Sequence, residues 1–221
     1  PCVFLRDDIY DELIDPDASK WNDYAAHLSW GEHSLKELIS YRIEKAIDPS
    51  VYVAKKKFET NWSNISTVLM MKDSSAGRIK VFNWIWRYTH SRPRDFVRYM
   101  KIAARYAFAE GAEKISTNNL KRATKRYSEE FRDELVHEMS SQMKIAKEVM
   151  EMLQQINLIE MSFSTFEEAY SQKFSKRGSV PLALNVLKIL YKYNVIGYES
   201  RSMKNFAIFN YTHAGSEYIE G

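Results

Sequence analysis

The sequence has a single cysteine and no histidines at metal-ligand spacing, so it lacks the residues of the common metal and redox sites. Its single cysteine, Cys2, can neither form an internal disulfide nor supply a cysteine-rich zinc site. The five histidines show no H-E-x-x-H or similar metal-ligand spacing. No basic-then-apolar secretory leader is seen either, so we expect a reducing, cytoplasmic setting and no metal centre.

Glycine is also scarce, with seven residues in 221, and no G-x-x-x-x-G-K-[ST] segment occurs. The backbone cradle that holds nucleotide phosphates and the hydroxyl that binds Mg²⁺ are therefore missing from this chain. A G-x-S-x-G nucleophile elbow is absent too, which argues against a serine hydrolase. We expect no ATPase activity from this chain alone. No apolar run has bilayer length, so no membrane partner is expected.

The composition is that of a folded protein, with 45% hydrophobic and 14% aromatic residues. The formal net charge is only +3, but residues 78–139 carry 14 basic and 8 acidic side chains. Such a basic stripe can contact the phosphates of a nucleic acid or a nucleotide, or it can be an ordinary solvated helical face. Both interpretations stay open at this point.

Helical periodicity dominates the chain up to Met139. A helix is predicted over "HSLKELISYRIEKAI", followed by an ambiguous stretch at residues 50–77. From Arg78 two antiparallel helices are predicted, joined at Ser91, the second starting near Pro93 and ending at Gly111. A third helix of the same bundle should begin at a cap formed by Ser116 or Thr117.

Shorter, mixed elements follow Met139. The sequence predicts a helix, a strand at "LIEMSFS", a helix capped by Thr165, another helix at "VPLALNVLKILYKYN", and two strands, "VIGYES" and "NFAIFNYT". This order is typical of a winged helix with a small β-wing. We therefore predict a mainly α protein with three parts: residues 1–77, a helical lid bundle at 78–139 and a winged-helix domain at 140–221.

The start of the chain reads as the end of a buried strand. "CVFLRDDIYDEL" is apolar up to Arg6, which would lie at the strand tip before two aspartates. The chain begins at Pro1 rather than at methionine. We expect it to be a piece of a longer polypeptide, whose N-terminal part would be a partner of this one.

These features together resemble the C-terminal half of a bacterial P-loop ATPase of the STAND/AAA type. The resemblance rests on two short motifs, Phe4 to Tyr10 ("FLRDDIY") and Arg92-Pro93-Arg94-Asp95, and on a helix like the lid's closing helix before a winged helix. It covers most of the chain and is weakest over residues 50–77. It implies that residues 1–77 are the end of a nucleotide-binding domain and that residues 78–139 are its helical lid. It also implies a signalling or defence role.

The resemblance also implies residue roles. Arg6 falls at the position of a sensor-1 arginine, and Pro93 at a lid proline near the adenine. Arg92 or Arg94 would act as a sensor-2-like contact to phosphate, which suits the planar fork of a guanidinium. ATP or ADP with Mg²⁺ would then be bound only with a P-loop domain outside this chain, and a homo-oligomer is compatible with this class. The structural alternative is that the arginines pair with nearby acids.

A second functional class is a DNA-binding winged-helix protein of a mobile element or defence system. Its candidate contacts are Lys188 and Lys192 on the third helix of the module and Arg201 and Lys204 in the wing. The third helix is apolar at most positions and offers few polar side chains to a groove. We therefore favour packing against a nucleotide-binding domain as the role of this module.

Overall fold

The computed structural model describes Lys20, Tyr24, Ala26 and residues 30–73, 77–90, 92–199 and 207–210. Within these residues the protein forms eight α-helices and two two-stranded antiparallel sheets, so it is mainly helical, as predicted. The helices are α1 (Glu32–Ile47), α2 (Phe58–Ile65), α3 (Val81–Tyr88), α4 (Pro93–Ala109), α5 (Thr117–Met139), α6 (Ala146–Ile156), α7 (Phe163–Phe174) and α8 (Ala183–Lys192). The strands are β1 (Met70–Asp73), β2 (Gly77–Lys80), β3 (Tyr198–Glu199) and β4 (Ala207–Ile208).

The ambiguous stretch at residues 50–77 contains α2, β1 and the start of β2. Trp62 of α2 is fully buried, and its indole Nε1 donates to the carbonyl oxygen of Val68 at 2.6 Å. β1 pairs with β2 with Met71 opposite Ile79. The helix predicted from Arg78 therefore begins only at Val81. Arg78 lies in strand β2 opposite Lys72 of β1, so cross-strand hydrogen bonding takes the place of helical hydrogen bonding at this position.

Helices α3, α4 and α5 are the three bundle helices that the sequence predicts. α4 begins at Pro93, whose missing N–H and fixed φ suit a first helical position. It ends before Gly111, which adopts φ +69° as a C-terminal glycine does. Ser116 caps α5, because its Oγ accepts the N–H of Asn119 at 3.3 Å.

The segment after Met139 follows the predicted winged-helix order in part: three helices, α6 to α8, precede the β3–β4 hairpin. The strand predicted at "LIEMSFS" is wrong. Residues 158–162 lie in a loop, and Ile159 is fully exposed with no pairing strand in the described part of the chain. The cap of α7 is Ser162 rather than Thr165, since Ser162 Oγ accepts the N–H of Thr165 at 3.2 Å.

One buried hydrophobic cluster runs from Leu35 in α1 to Leu190 in α8. Its centre is the α4–α5 contact, where Phe96, Tyr99 and Ala103 are completely buried. The division into three parts at residues 77 and 139 stays a prediction. None of the helices in the described ranges combines the length and the apolar character that crossing a bilayer requires.

Candidate functional site at the start of α4

The predicted arginine motif lies at the N-terminus of α4. Arg92 is the N-cap residue with extended backbone, and its carbonyl oxygen accepts the N–H groups of Asp95 at 3.1 Å and Phe96 at 3.0 Å. No side-chain hydrogen bond caps this helix among the described residues. The helix start therefore keeps its partial positive charge, to which the guanidinium groups of Arg92 and Arg94 add.

Asp95, the last residue of the motif, is completely buried. Arg92 Nη1 lies 4.0 Å from its Oδ2, and Arg94 Nε lies 3.6 Å from its Oδ1. Neither carboxylate oxygen has a hydrogen-bond partner. Burial raises the pKa of Asp95, although the charges of Arg94 and Arg92 oppose this. The buried acid is thus only partly compensated by the two arginines that flank it.

Outside this contact, charged side chains connect α4 to α5. Arg94 Nη2 bonds to Glu134 Oε1 at 2.7 Å, and Arg98 Nη1 bonds to Glu134 Oε2 at 2.6 Å. Arg98 also reaches Glu130 Oε2 at 3.0 Å. Burial raises the pKa of Glu134, but hydrogen bonds and charge from Arg98 and Arg94 outweigh it and lower that pKa. The structural alternative raised for Arg94, pairing with a nearby acid, is therefore present.

Two further titratable groups lie near the buried acid. His90 has φ +45° and packs its ring edge-on against Phe131, with ring centroids 5.1 Å apart. Burial, with a smaller contribution from the Arg92 charge, lowers the pKa of His90 to about 4. Tyr127 is 1% exposed, and its hydroxyl has no hydrogen-bond partner. Burial and the Asp95 charge raise the pKa of Tyr127.

We call this group of side chains the α4-start cluster. It consists of His90, Arg92, Arg94, Asp95, Arg98, Tyr127, Glu130 and Glu134. Three arginines face three carboxylates, so the cluster is close to neutral when all are ionised. It combines partly exposed guanidinium groups with an incompletely paired buried acid. That arrangement can accept an anion by exchanging a carboxylate partner for it.

The other predicted site residues are placed as follows. Arg6, Arg201 and Lys204 lie outside the described residues. Pro93 is at the first position of α4, next to both arginines. Lys188 and Lys192 are exposed one turn apart on α8, where Asn185 is the neighbouring exposed polar residue. These three residues form a narrow polar strip, in line with the few polar side chains that the sequence offers on this helix.

Sequence reasoning missed the acids that hold the arginines. Arg94 and Arg98 are four residues apart, as are Glu130 and Glu134, so each pair lies on one helix face. In two antiparallel helices such pairs can meet, and this spacing was the available signal. The burial of Asp95 had no sequence signal, because it depends on how α5 covers the start of α4. No group of three or more His, Cys, Asp and Glu in the described ranges is arranged to hold a metal ion.

Comparison with known families finds a similarity over part of the chain. Residues 33–136 match a family model described as the FunZ-associated C-terminal helical domain. The matched range begins in α1 and ends in α5, so it includes the hairpin β1–β2 and the α4-start cluster. No curated protein and no solved structure matches the chain. This part is therefore similar to a C-terminal helical domain.

Proposed function

We propose that this chain is the lid and winged-helix module of a signalling P-loop ATPase, and that the α4-start cluster senses the bound nucleotide. ATP or ADP with Mg²⁺ would be held by a P-loop domain outside this sequence. The chain itself would supply Arg92 and Arg94 to the phosphates and Pro93 near the base. Such a module changes its packing according to whether the phosphates are in contact with it.

The observation that carries the proposal is the loose contact of these two arginines with Asp95, although Arg94 is also bonded to Glu134 at 2.7 Å. Both approach Asp95 at 3.6–4.0 Å without a hydrogen bond, and their side chains are 42% and 69% exposed. A phosphate oxygen would form charged hydrogen bonds with them, each worth roughly 1.5–3 kcal/mol. No hydrogen bond has to be broken at Asp95, and loss of the two neighbouring cations would raise the pKa of this buried acid further.

Glu134 makes the same exchange feasible for the stronger Arg94 contact. It accepts hydrogen bonds from Arg94 and Arg98 through different oxygens. If Arg94 turned toward a phosphate, Glu134 would still be paired with Arg98 at 2.6 Å and would not be left without a partner. Movement of Arg94 would also remove one of the links between α4 and α5. Nucleotide binding would thereby be coupled to the packing of these helices.

The test compares ATP and ADP affinity in the ATPase that contains this module. Arg94→Ala should weaken affinity or ATP/ADP discrimination by about ten- to a hundredfold, following from the loss of one charged hydrogen bond. Arg122→Ala is the matched control. Arg122 lies on α5 and, like Arg94, forms an ion pair, but its partner is Glu110 and both residues lie outside the α4-start cluster. The melting temperature of each variant is measured in parallel.

Three results would contradict the proposal. The first is a lower melting temperature for Arg94→Ala with both nucleotide affinities unchanged, which would make Arg94 a purely structural ion-pair residue. The second is an equal loss of affinity in Arg122→Ala, which would show that any missing α5 ion pair has the same effect. Tight ATP binding by the isolated chain would also contradict it, since the phosphate cradle would then be within this sequence.

A further inference from the structure

A second feature of the helical domain lies apart from the α4-start cluster. A cleft of about 640 Å³ opens between α1 and the segment at residues 52–59. Its volume is in the range that protein pockets use for ligands. We call it the lysine cleft and define it by Lys36, Tyr41, Tyr52, Lys55, Lys56 and Lys57. It lies within the residues that match the helical family.

The lysine segment is held in place by one buried acid. Glu44 is 7% exposed and accepts the backbone N–H groups of Lys55 at 3.0 Å and Lys56 at 2.8 Å. Its Oε1 also accepts the side-chain amide of Asn61 at 2.6 Å. The hydrogen bond from Asn61 and those from the backbone lower the pKa of Glu44, so it stays ionised. The backbone is therefore fixed while the lysine side chains point outward.

The lysine side chains of this segment form no ion pair with the acids of the described residues. Lys55, Lys56 and Lys57 are all exposed, and no carboxylate of the described residues lies within 4.0 Å of their ammonium groups. Lys57 is also the N-cap residue of α2, which has no side-chain cap. Lys36 is already paired with Glu32 at 2.6 Å, and two glutamates, Glu37 and Glu59, also line the cleft. The positive charge available to an anion therefore comes from Lys55, Lys56 and Lys57.

An aromatic side chain stands beside the lysines. Tyr52 is 83% exposed, so its ring is accessible to a ligand. The ammonium group of Lys45 lies 5.5 Å from the Tyr52 ring centroid and 5.4 Å from that of Tyr41, and it donates to the Tyr41 hydroxyl at 3.0 Å. The cation–π contacts favour the observed position of the Tyr52 ring without burying it.

We propose that the lysine cleft binds single-stranded nucleic acid, with the lysines on the phosphates and a base stacked on Tyr52. Single-strand sites combine a positive groove along the backbone with aromatic rings that stack bases. An exposed ring can stack on a base whose face is not covered by neighbouring bases, and unstacked bases are available in a single strand rather than in a duplex. This inference goes beyond the proposed nucleotide sensing and does not depend on it.

The test is fluorescence anisotropy of the 221-residue chain with labelled oligo(dT) and oligo(U), at several salt concentrations. Replacing Lys55, Lys56 and Lys57 together by Gln should weaken binding at least tenfold at low salt. The slope of log affinity against log salt should become shallower by about 2, because each phosphate contact on a single strand contributes roughly 0.7. Tyr52→Ala should cost roughly fivefold to a hundredfold.

The matched controls remove the same groups elsewhere. Lys101, Lys121 and Lys125 are exposed on α4 and α5, and their triple Gln variant changes the net charge equally. Tyr24→Ala removes another exposed tyrosine, which is 92% exposed. Both controls should leave the affinity within about twofold. The melting temperature of each variant shows whether it is folded. If the triple variant of Lys55, Lys56 and Lys57 does not fold, Tyr52→Ala still tests the site.

Several results would overturn the proposal. Equal losses in the cleft and control variants would indicate unspecific attraction to net charge. Absence of binding at low salt would remove the site altogether. ATP competing as well as the oligonucleotides would make the cleft a mononucleotide site, and equal affinity for a duplex would exclude stacking on Tyr52. None of these results bears on Arg94, whose test uses nucleotide affinity in the ATPase.

Discussion

His90 should make the stability of this protein depend on pH in a specific way. Burial against Phe131 and the nearby Arg92 charge lower its pKa from 6.5 to about 4 in the folded state. The folded protein therefore binds fewer protons than the unfolded chain between these values. Stability from the neutral imidazole is present above pH 6.5 and is lost as the pH falls toward 4. Between pH 7.5 and 4.5 the loss corresponds to about 2.5 kcal/mol.

The assay is urea unfolding of the wild type and His90→Asn at pH 7.5, 6.5, 5.5 and 4.5. Asparagine tolerates the left-handed backbone at this position, where φ is +45°, and does not titrate. The variant loses the ring contact with Phe131 at every pH, so only the pH-dependent part of the difference is informative. The wild type should lose about 2.5 kcal/mol more than the variant over this range.

His33→Asn is the matched control, because the His33 side chain is 88% exposed and its ion-pair partner among the described residues is Glu37 at 3.3 Å. This variant should follow the wild-type profile. If wild type and His90→Asn lose stability in parallel, His90 titrates in the folded protein as it does in water. The inference that its neutral form is required for packing would then be wrong.

Two further variants test the polar groups buried around α4. The stability of Asp95→Asn should increase relative to that of the wild type as the pH rises above 3.8. The reason is that burial raises the pKa of Asp95, so its ionisation destabilises the folded wild type. Urea unfolding of both proteins at pH 4 and pH 8 measures the difference. Tyr99→Phe should lower the free energy of unfolding by about 1–3 kcal/mol, because the Tyr99 hydroxyl donates to the Leu120 carbonyl at 2.7 Å and accepts from Trp84 Nε1 at 3.2 Å. Thermal unfolding followed by tryptophan fluorescence measures this loss, and an unchanged unfolding curve would contradict it.

The local chemistry of helix ends was readable from the sequence. Pro93 starts α4, Gly111 follows its end and Ser116 caps α5, because each acts through its own backbone or through a neighbour three residues away. Local reasoning failed where a longer-range partner decides. Arg78 lies in a strand because β1 pairs with it, and "LIEMSFS" is a loop because none of the described strands pairs with it.

The candidate site divides in the same way. The sequence showed arginines around a proline within a basic stripe, and it allowed either phosphate contact or a solvated helical face for that stripe. Only the packing of α5 on α4 decided that Asp95 is buried and that Glu134 reaches Arg94 at 2.7 Å. Likewise, only the position of Glu44 fixes the lysine segment.

The sequence by itself determined the helical class of this protein, most of the helix starts and ends in the bundle, and the identity of the cationic side chains. These depend on periodicity and on contacts within one turn, which the order of residues specifies directly. The tertiary structure decided which cations are paired with acids and which are not. That distinction depends on burial and on distances between elements far apart in the chain, and the strength of every charge interaction here depends on both.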